Sequence, residues 1–393
     1  MKVLIYMNIN NLKPTGGPAG YLYNLKNELD YLKNKNIFFI NKDIKKNKYR
    51  KYYDKLPKYF KEVYKSKIRL RKIKFLLSNS PKVTNIDFNQ YDIIHFHSTF
   101  DLYSVKDTLK DFNGKIVLTS HSPKPYHLEF IEDAINIKDR IKYKEIYEKL
   151  DRIDEYAFEN TDYIVFPCED AEEPYFKNWE KYKSIKNKNK NKYKYLLTGC
   201  KEGNVYLSRK EICLKYNIPE DAFIISYVGR HNFTKGYEDL KNLGEKILRD
   251  NKNIYFLVAG KEEPIKGLKH SNWIEVGWTN DPHSIIAASD IFILPNKETY
   301  FDLVMLEVLS LEKVVLASKT GGNKQFQKYH TKGIILYDNI EDAYLKFNDI
   351  ILNNKENLSS WGKENRSLFD NKFNSKIFAK KYIELMNNIY NQR

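Results

Sequence analysis

Two runs in the second half of the chain carry residue types suited to holding an anion. The first, GRHNFTKG at 229–236, follows the apolar stretch FIISYV at 223–228. A buried strand ending in a glycine turn brings backbone and side chains to the carboxyl edge of a parallel sheet, where doubly wound folds bind ligands. Arg230 offers a planar fork of donors and Lys235 a compact charge, and both suit a phosphate group. Arginine occurs only ten times among the 67 basic residues, which sets Arg230 apart from the general lysine richness. The second run, PNKETYFDLVMLE at 295–307, follows the apolar IFIL. A helix starting near Asp302 leaves its first amides unsatisfied and directed at the preceding loop, which makes an anion site from backbone alone. Glu307 stands between Leu306 and Val308 in an otherwise apolar helix, so its carboxylate needs partners. A ribose diol meets that need, and a structural salt bridge meets it equally well.

Positioning such residues requires strands buried on both faces. Short, continuously apolar runs recur along the chain, at 3–7, 37–40, 92–96, 115–119 and 163–167, and again at 223–228, 254–259, 273–276, 291–295, 314–317 and 333–337. Continuous rather than alternating hydrophobicity predicts buried parallel strands. Helical lengths between them predict right-handed crossovers. Two series give two doubly wound domains. The lysine-rich stretch 180–195 reads as an exposed loop or irregular helix between them. The final stretch places Ile377, Phe378, Tyr382, Ile383, Met386, Ile389 and Tyr390 at helical spacing.

With 393 residues the chain can bury two cores. It contains no run approaching the roughly 18 apolar residues of a membrane-spanning helix. The opening MKVLIYMNIN is too short for a leader and reads as a first strand. Three widely spaced cysteines, Cys168, Cys200 and Cys213, form no disulfide framework, so a reducing cytoplasm is expected. Part of the net charge of +16 reflects the Lys, Asn, Ile and Tyr richness that AT-rich codons produce. Its distribution is uneven, because residues 41–75 hold fifteen Lys or Arg against Asp43, Asp54 and Glu62. Aromatic and aliphatic residues are interleaved there, as in segments that lie in a membrane interface, although Pro57 argues against one uninterrupted helix. Nucleic acid and a merely solvated surface are the competing readings. His95 and His97 share one face of a strand, with His121 a candidate neighbour, but no cysteine or carboxylate spacing supports a metal site. Asp-x-Asp, GxGxxG and GxxxxGK[ST] patterns are absent, which disfavours a dehydrogenase and a P-loop ATPase.

The two anion-binding runs stand in order with LVAGK at 257–261, VGW at 276–278, SDIFILPN at 289–296 and Gly321 with Gly322. This collinear set resembles the retaining family-four glycosyltransferases from about residue 197 to 325. Gly16 and Gly17, DIIHFHS at 92–98 and TSHS at 119–122 also fall where that family has equivalents. The resemblance implies an α/β chain of two facing doubly wound Rossmann-like domains, the GT-B type. Residues 1–196 would form the acceptor-side domain, 197–372 the donor domain, and 373–393 a C-terminal helix returning to the N-terminal domain.

The implied activity is transfer of a hexosyl group from a nucleoside-diphosphate sugar, with UDP-sugar favoured, to an acceptor hydroxyl with retention. No metal or cofactor is implied, the nucleotide sugar being a co-substrate. By the same resemblance Arg230 and Lys235 hold the donor diphosphate, Glu307 holds the ribose, and the backbone at Asp302, Leu303 and Val304 meets the phosphates. Trp278 and Thr279 lie beside the base, Gly16 and Gly17 let the N-terminal loop approach the donor, and His121 sits near the reacting sugar. The chain departs from the family at one place. The family's first glutamate falls at Thr299, with Glu298 displaced by one, and a usual glycine is replaced by Asp302. Expected partners are a lipid-linked or surface glycan and an anionic membrane met through 41–75, with no nucleic acid. The expected location is the cytoplasm, peripheral on the inner membrane face. The rivals are a catalytically silent subunit of the same fold, a phosphorylase or epimerase, and a nucleic-acid-binding protein.

Overall fold

Short runs rich in Val, Ile, Phe and Tyr form two all-parallel sheets in the computed structural model, which describes residues 1–7, 12, 17–40, 57–78, 86–134, 137–353 and 355–392. The chain divides into two compact units, the first of residues 1–166, 174–196 and 381–393, the second of residues 167–173 and 197–380. In the first unit β1 (Val3–Tyr6), β2 (Ile37–Phe39), β3 (Ile93–Phe96), β4 (Lys115–Leu118), β5 (Tyr163–Phe166) and β6 (Tyr193–Tyr195) lie in the order β2-β1-β3-β4-β5-β6. In the second, β7 (Phe223–Val228), β8 (Ile254–Ala259), β9 (Trp273–Gly277), β10 (Ile291–Leu294), β11 (Val314–Ser318) and β12 (Ile334–Tyr337) lie in the order β12-β11-β10-β7-β8-β9. Every residue of β1, β3 and β10 is buried, as continuous apolar runs require when helices cover both faces of a sheet.

Strand order reverses between β1 and β3 in the first sheet and between β7 and β10 in the second. At such a switch point neighbouring crossovers leave the sheet in opposite directions, and a crevice opens beyond the carboxyl ends of the strands. The loops after β7 and β10 carry the runs 229–236 and 295–307.

The reading of 180–195 as an exposed loop or irregular helix is corrected. These residues form a helix, Tyr182–Lys188, and the edge strand β6, which pairs with β5 through Ile164 and Tyr193. Tyr182, Ile185 and Tyr193 are buried, and Tyr182 packs with Phe158, Tyr175 and Trp179. A few apolar anchors suffice there because the intervening lysines and asparagines project outward. Tyr175 is fully buried as well, and its hydroxyl donates to Ser120 Oγ at 2.6 Å.

Pro57 proves to be a helix start. The helix Lys58–Leu77 begins directly after it, at the place where proline's missing N–H costs nothing. Ile73 is its buried anchor, packed in a cluster with Phe100, Tyr147, Leu150 and Ile153. Phe60, Tyr64, Lys67, Ile68, Arg71, Lys74 and Phe75 are exposed, and their spacing puts all seven on one face. The rest of the basic segment, 41–56, lies outside the described residues. The last helix, Ser375–Asn391, buries Phe378, Tyr382, Met386 and Ile389. Among the described residues no helix is long and apolar enough to cross a membrane, and the three cysteines are free and buried.

Candidate functional site

In the second unit the loop after β7 is folded by its own polar groups. The Tyr227 hydroxyl donates to the Arg230 carbonyl at 2.8 Å, and Asn232 Oδ1 accepts the Lys235 amide at 3.0 Å. Gly236 ends the loop at φ 64°, and a Cβ there would stand 1.7 Å from the Pro295 carbonyl oxygen. Only glycine permits that conformation and that approach, so the start of the helix Tyr237–Asp250 is locked against the loop after β10. Lys297 N–H completes the junction by donating to the Thr234 carbonyl at 3.0 Å.

The junction brings predicted site residues together. Lys235 Nζ lies 2.6 Å from Asp302 Oδ1, and Asn296 Nδ2 donates to the other Asp302 oxygen. Asp302 occupies the N-cap of the helix Leu303–Ser310, yet its side chain makes no cap hydrogen bond, because Lys235 and Asn296 draw it away. The first turn, with Leu303 and Val304, therefore carries no side-chain cap and keeps the positive end of its dipole open. Arg230 is exposed in the facing loop. Thr299 is buried at 1 % exposure, and its hydroxyl has no partner among the described residues, while Glu298 is half-buried. Gly321, at φ 44°, approaches so closely that a Cβ would lie 2.2 Å from the Thr299 carbonyl oxygen.

Beneath the loop His231 is fully buried and stacked on Tyr237 at 3.8 Å. Burial pushes its pKa down to about 4, so the ring is neutral at physiological pH. The Tyr237 hydroxyl and the Trp273 indole both donate to Glu275 Oε1, at 2.5 and 2.8 Å, and burial raises the pKa of that carboxyl. Beyond β9, Gly277 turns the chain at φ 73° and leaves Trp278 73 % exposed, while Thr279 Oγ1 accepts the Asp281 amide.

Glu307 is not enclosed as its apolar helix suggested. Its side chain is 28 % exposed, and its carboxylate faces His283, with Oε2 3.7 Å from Nε2. His283 was not singled out from the sequence. The available signal was Asp281-Pro282, an N-cap followed by proline, which marks a helix start and puts His283 in its first turn.

In the first unit the three histidines meet. His97 Nδ1 and His121 Nε2 lie 2.6 Å apart and share a proton rather than converge on a common point. His95 bonds Thr119 Oγ1 and the Tyr382 hydroxyl, both at 2.9 Å. Burial pushes His95 and His121 down to about 3, and His97 well below its ordinary value. His121 adopts φ 58°, and Tyr21 packs edge-on to its ring. Gly17 opens the helix Gly17–Tyr31, and among the described residues nothing lies within 4 Å of where a Cβ would stand, while Gly16 lies outside the described residues.

Residues 208–368 match the model of a family described as glycosyl transferases group 1. An uncharacterized 41.2 kDa protein of the cps region of Klebsiella pneumoniae is 21 % identical over 77 % of this chain and 80 % of its own. The UDP-Gal:alpha-D-GlcNAc-diphosphoundecaprenol alpha-1,3-galactosyltransferase of Escherichia coli is 26 % identical, over 35 % of this chain and 38 % of its own. Among solved structures, Anabaena HepE in complex with UDP-glucose superposes with a TM-score of 0.63 at 11 % identity, covering 99 % of this chain and 100 % of HepE. A glycosyltransferase from Rickettsia africae gives 0.59 at 17 % identity, covering 100 % of this chain and 98 % of its own. Residues 208–368 of the second unit are thus similar to the group 1 glycosyl transferases, and the chain has the GT-B fold, built of two doubly wound units.

Proposed function

We propose that the chain is a retaining hexosyltransferase that uses a nucleoside-diphosphate sugar, a UDP-sugar in first place, and a hydroxyl of a lipid-linked or surface glycan. The observation that carries this reading is the junction of the two switch-point loops, where Lys235, Asn296 and Asp302 meet at an uncapped helix end. The bond from the sugar's anomeric carbon to the diphosphate breaks, the acceptor oxygen bonds that carbon on the same face, and the acceptor's proton passes to the departing phosphate oxygen. This sequence needs no protein nucleophile, metal or cofactor. Arg230, Lys235 and the amides of Leu303 and Val304 meet the charge growing on the diphosphate. Glu307 takes the ribose, Trp278 and Thr279 take the base, and His121 acts toward the transferred sugar. The galactosyltransferase relative, named for UDP-Gal and a diphosphoundecaprenol-linked substrate, and HepE with UDP-glucose support the donor and acceptor classes.

Thermal unfolding with UDP, GDP, ADP, CMP and their sugar conjugates tests the reading. One diphosphate series should stabilise the wild type by about 3 kcal/mol at a hundredfold excess over Kd. Arg230→Ala should lose that shift, together with about a hundredfold in turnover. Absence of any shift in the wild type would instead favour the silent subunit.

The membrane part of the proposal rests on the exposed face of the helix Lys58–Leu77, where Phe60, Tyr64, Ile68 and Phe75 alternate with Lys67, Arg71 and Lys74. Aromatic anchors among cations suit an anionic lipid interface better than a nucleic-acid groove. On this reading the protein works at the inner face of the membrane. Replacing the three cations by Gln should weaken binding to phosphatidylserine vesicles about a hundredfold, at about 1 kcal/mol each. A wild type that ignores such vesicles but binds oligonucleotides with steep salt dependence would overturn it.

A further inference from the structure

The environment of Glu307 contains a residue that no motif announces. His283 lies in the first turn of the helix Pro282–Ala288, and the stretch around residue 204 is fastened to that turn. Asn204 N–H donates to His283 Nδ1 at 3.1 Å, and the amides of Tyr206 and Leu207 both donate to Ser284 Oγ at 2.9 Å. Gly203 lies flat against the imidazole, where a Cβ would come within 3.0 Å of the ring. A backbone N–H can donate only to an unprotonated ring nitrogen. The neutral ring therefore carries its single proton on Nε2, and Nε2 is the atom that faces Glu307 Oε2 at 3.7 Å. Among the described residues no lysine or arginine side chain lies within 4.0 Å of this carboxylate.

We propose that His283 is a positioning residue for the donor nucleotide. Clamped by Asn204, its Nε2–H orients the Glu307 carboxylate so that both carboxylate oxygens are presented to a ribose diol, and it thereby sets a preference for ribonucleotides. The proposal rests on the donor reading above, in which Glu307 takes the ribose. It adds that the orientation of Glu307 is supplied from a second element, the strand-to-helix turn that also bears Trp278 and Thr279.

Two conservative variants separate the two ring nitrogens. His283→Asn keeps an acceptor where Nδ1 receives the Asn204 amide but has nothing in place of Nε2. His283→Gln carries an amide N–H out to the position of Nε2. Kd is measured by calorimetry for UDP, GDP and ADP and for their 2′,3′-dideoxy forms, with wild type, both variants and Glu307→Gln. The wild type should favour the ribose form by about tenfold, as the loss of charge-assisted hydrogen bonds predicts. His283→Asn and Glu307→Gln should reduce that preference to within about twofold, with dideoxy affinity unchanged. His283→Gln should retain it. A merely structural role would lower affinity for both forms alike, and would spare His283→Asn more than His283→Gln.

Retention of the full preference in His283→Asn, with Glu307→Gln abolishing it, overturns the proposal and leaves the ribose role of Glu307 standing. A wild type that binds none of these nucleotides, or binds both sugar forms equally, overturns the donor reading itself and the proposal with it.

Discussion

Alanine at Lys235 is expected to lower kcat/KM on the order of a thousandfold, the upper end of what losing a single electrostatic contact costs and about tenfold more than Arg230→Ala. The excess comes from Asp302. In the free protein Lys235 Nζ lies 2.6 Å from Asp302 Oδ1, with side chains 22 % and 17 % exposed, so each largely offsets the other's charge. On the proposed donor reading, an arriving diphosphate would compete with Asp302 for the ammonium. Without Lys235 the carboxylate would keep, among the described residues, only the Asn296 amide, and it would face the phosphates with its charge uncompensated. Removing that charge as well, in Lys235→Ala with Asp302→Asn, should recover about tenfold, since like charges a few ångströms apart at a half-buried site repel by roughly 1–2 kcal/mol. Steady-state kinetics over donor concentration decides the matter. A single variant within tenfold of wild type would remove Lys235 from the phosphate site. A double variant no better than the single one would show that Asp302 does not face the donor.

Gly236→Ala should destabilise the protein by about 3 kcal/mol, the sum of a left-handed residue with a side chain and an overpacked contact. The contact in question is the 1.7 Å approach of the added Cβ to the Pro295 carbonyl oxygen, a backbone atom that cannot swing aside. Relief requires the β7 and β10 loops to part, so donor affinity should fall along with the urea midpoint. Gly17→Ala is the matched control, because among the described residues its added methyl meets nothing within 4 Å and its stability should change by less than about 0.5 kcal/mol. Equal urea midpoints for Gly236→Ala and wild type would contradict the loop junction described above.

The parts of the fold legible in the sequence were those whose signal is local and repeated. Eleven apolar runs correspond to eleven of the twelve strands among the described residues, because a parallel strand covered on both faces has to be largely apolar. The remaining strand, β6, reads Tyr-Lys-Tyr at a sheet edge, where outward lysines are expected and no apolar run exists. The meeting of Lys235 with Asp302 was legible in outline, since both loops leave adjacent strands at a switch point. That Asp302 pairs with Lys235 instead of capping its own helix was not, because capping is a local habit of aspartate and the competing cation is sixty-seven residues away in sequence. His283 was missed for the same reason: a lone histidine in a helix's first turn has no periodicity, and only the folded chain sets it against Glu307.

The buried tyrosines constrain how the sequence can diverge. Tyr175, Tyr227, Tyr237 and Tyr382 each lock a hydroxyl onto a particular acceptor or donor, respectively Ser120, the Arg230 carbonyl, Glu275 and His95. In a chain so rich in tyrosine and lysine, drift between the neighbouring codons for tyrosine and phenylalanine is cheap at the genetic level. It is not cheap at these positions, where phenylalanine would keep the ring's volume and take away the partner's hydrogen bond. Substitution histories among close relatives should therefore be lopsided, with exposed tyrosines such as Tyr31 and Tyr206 wandering freely while these four stand still. Polar specificity inside the core would act as a ratchet on sequence divergence.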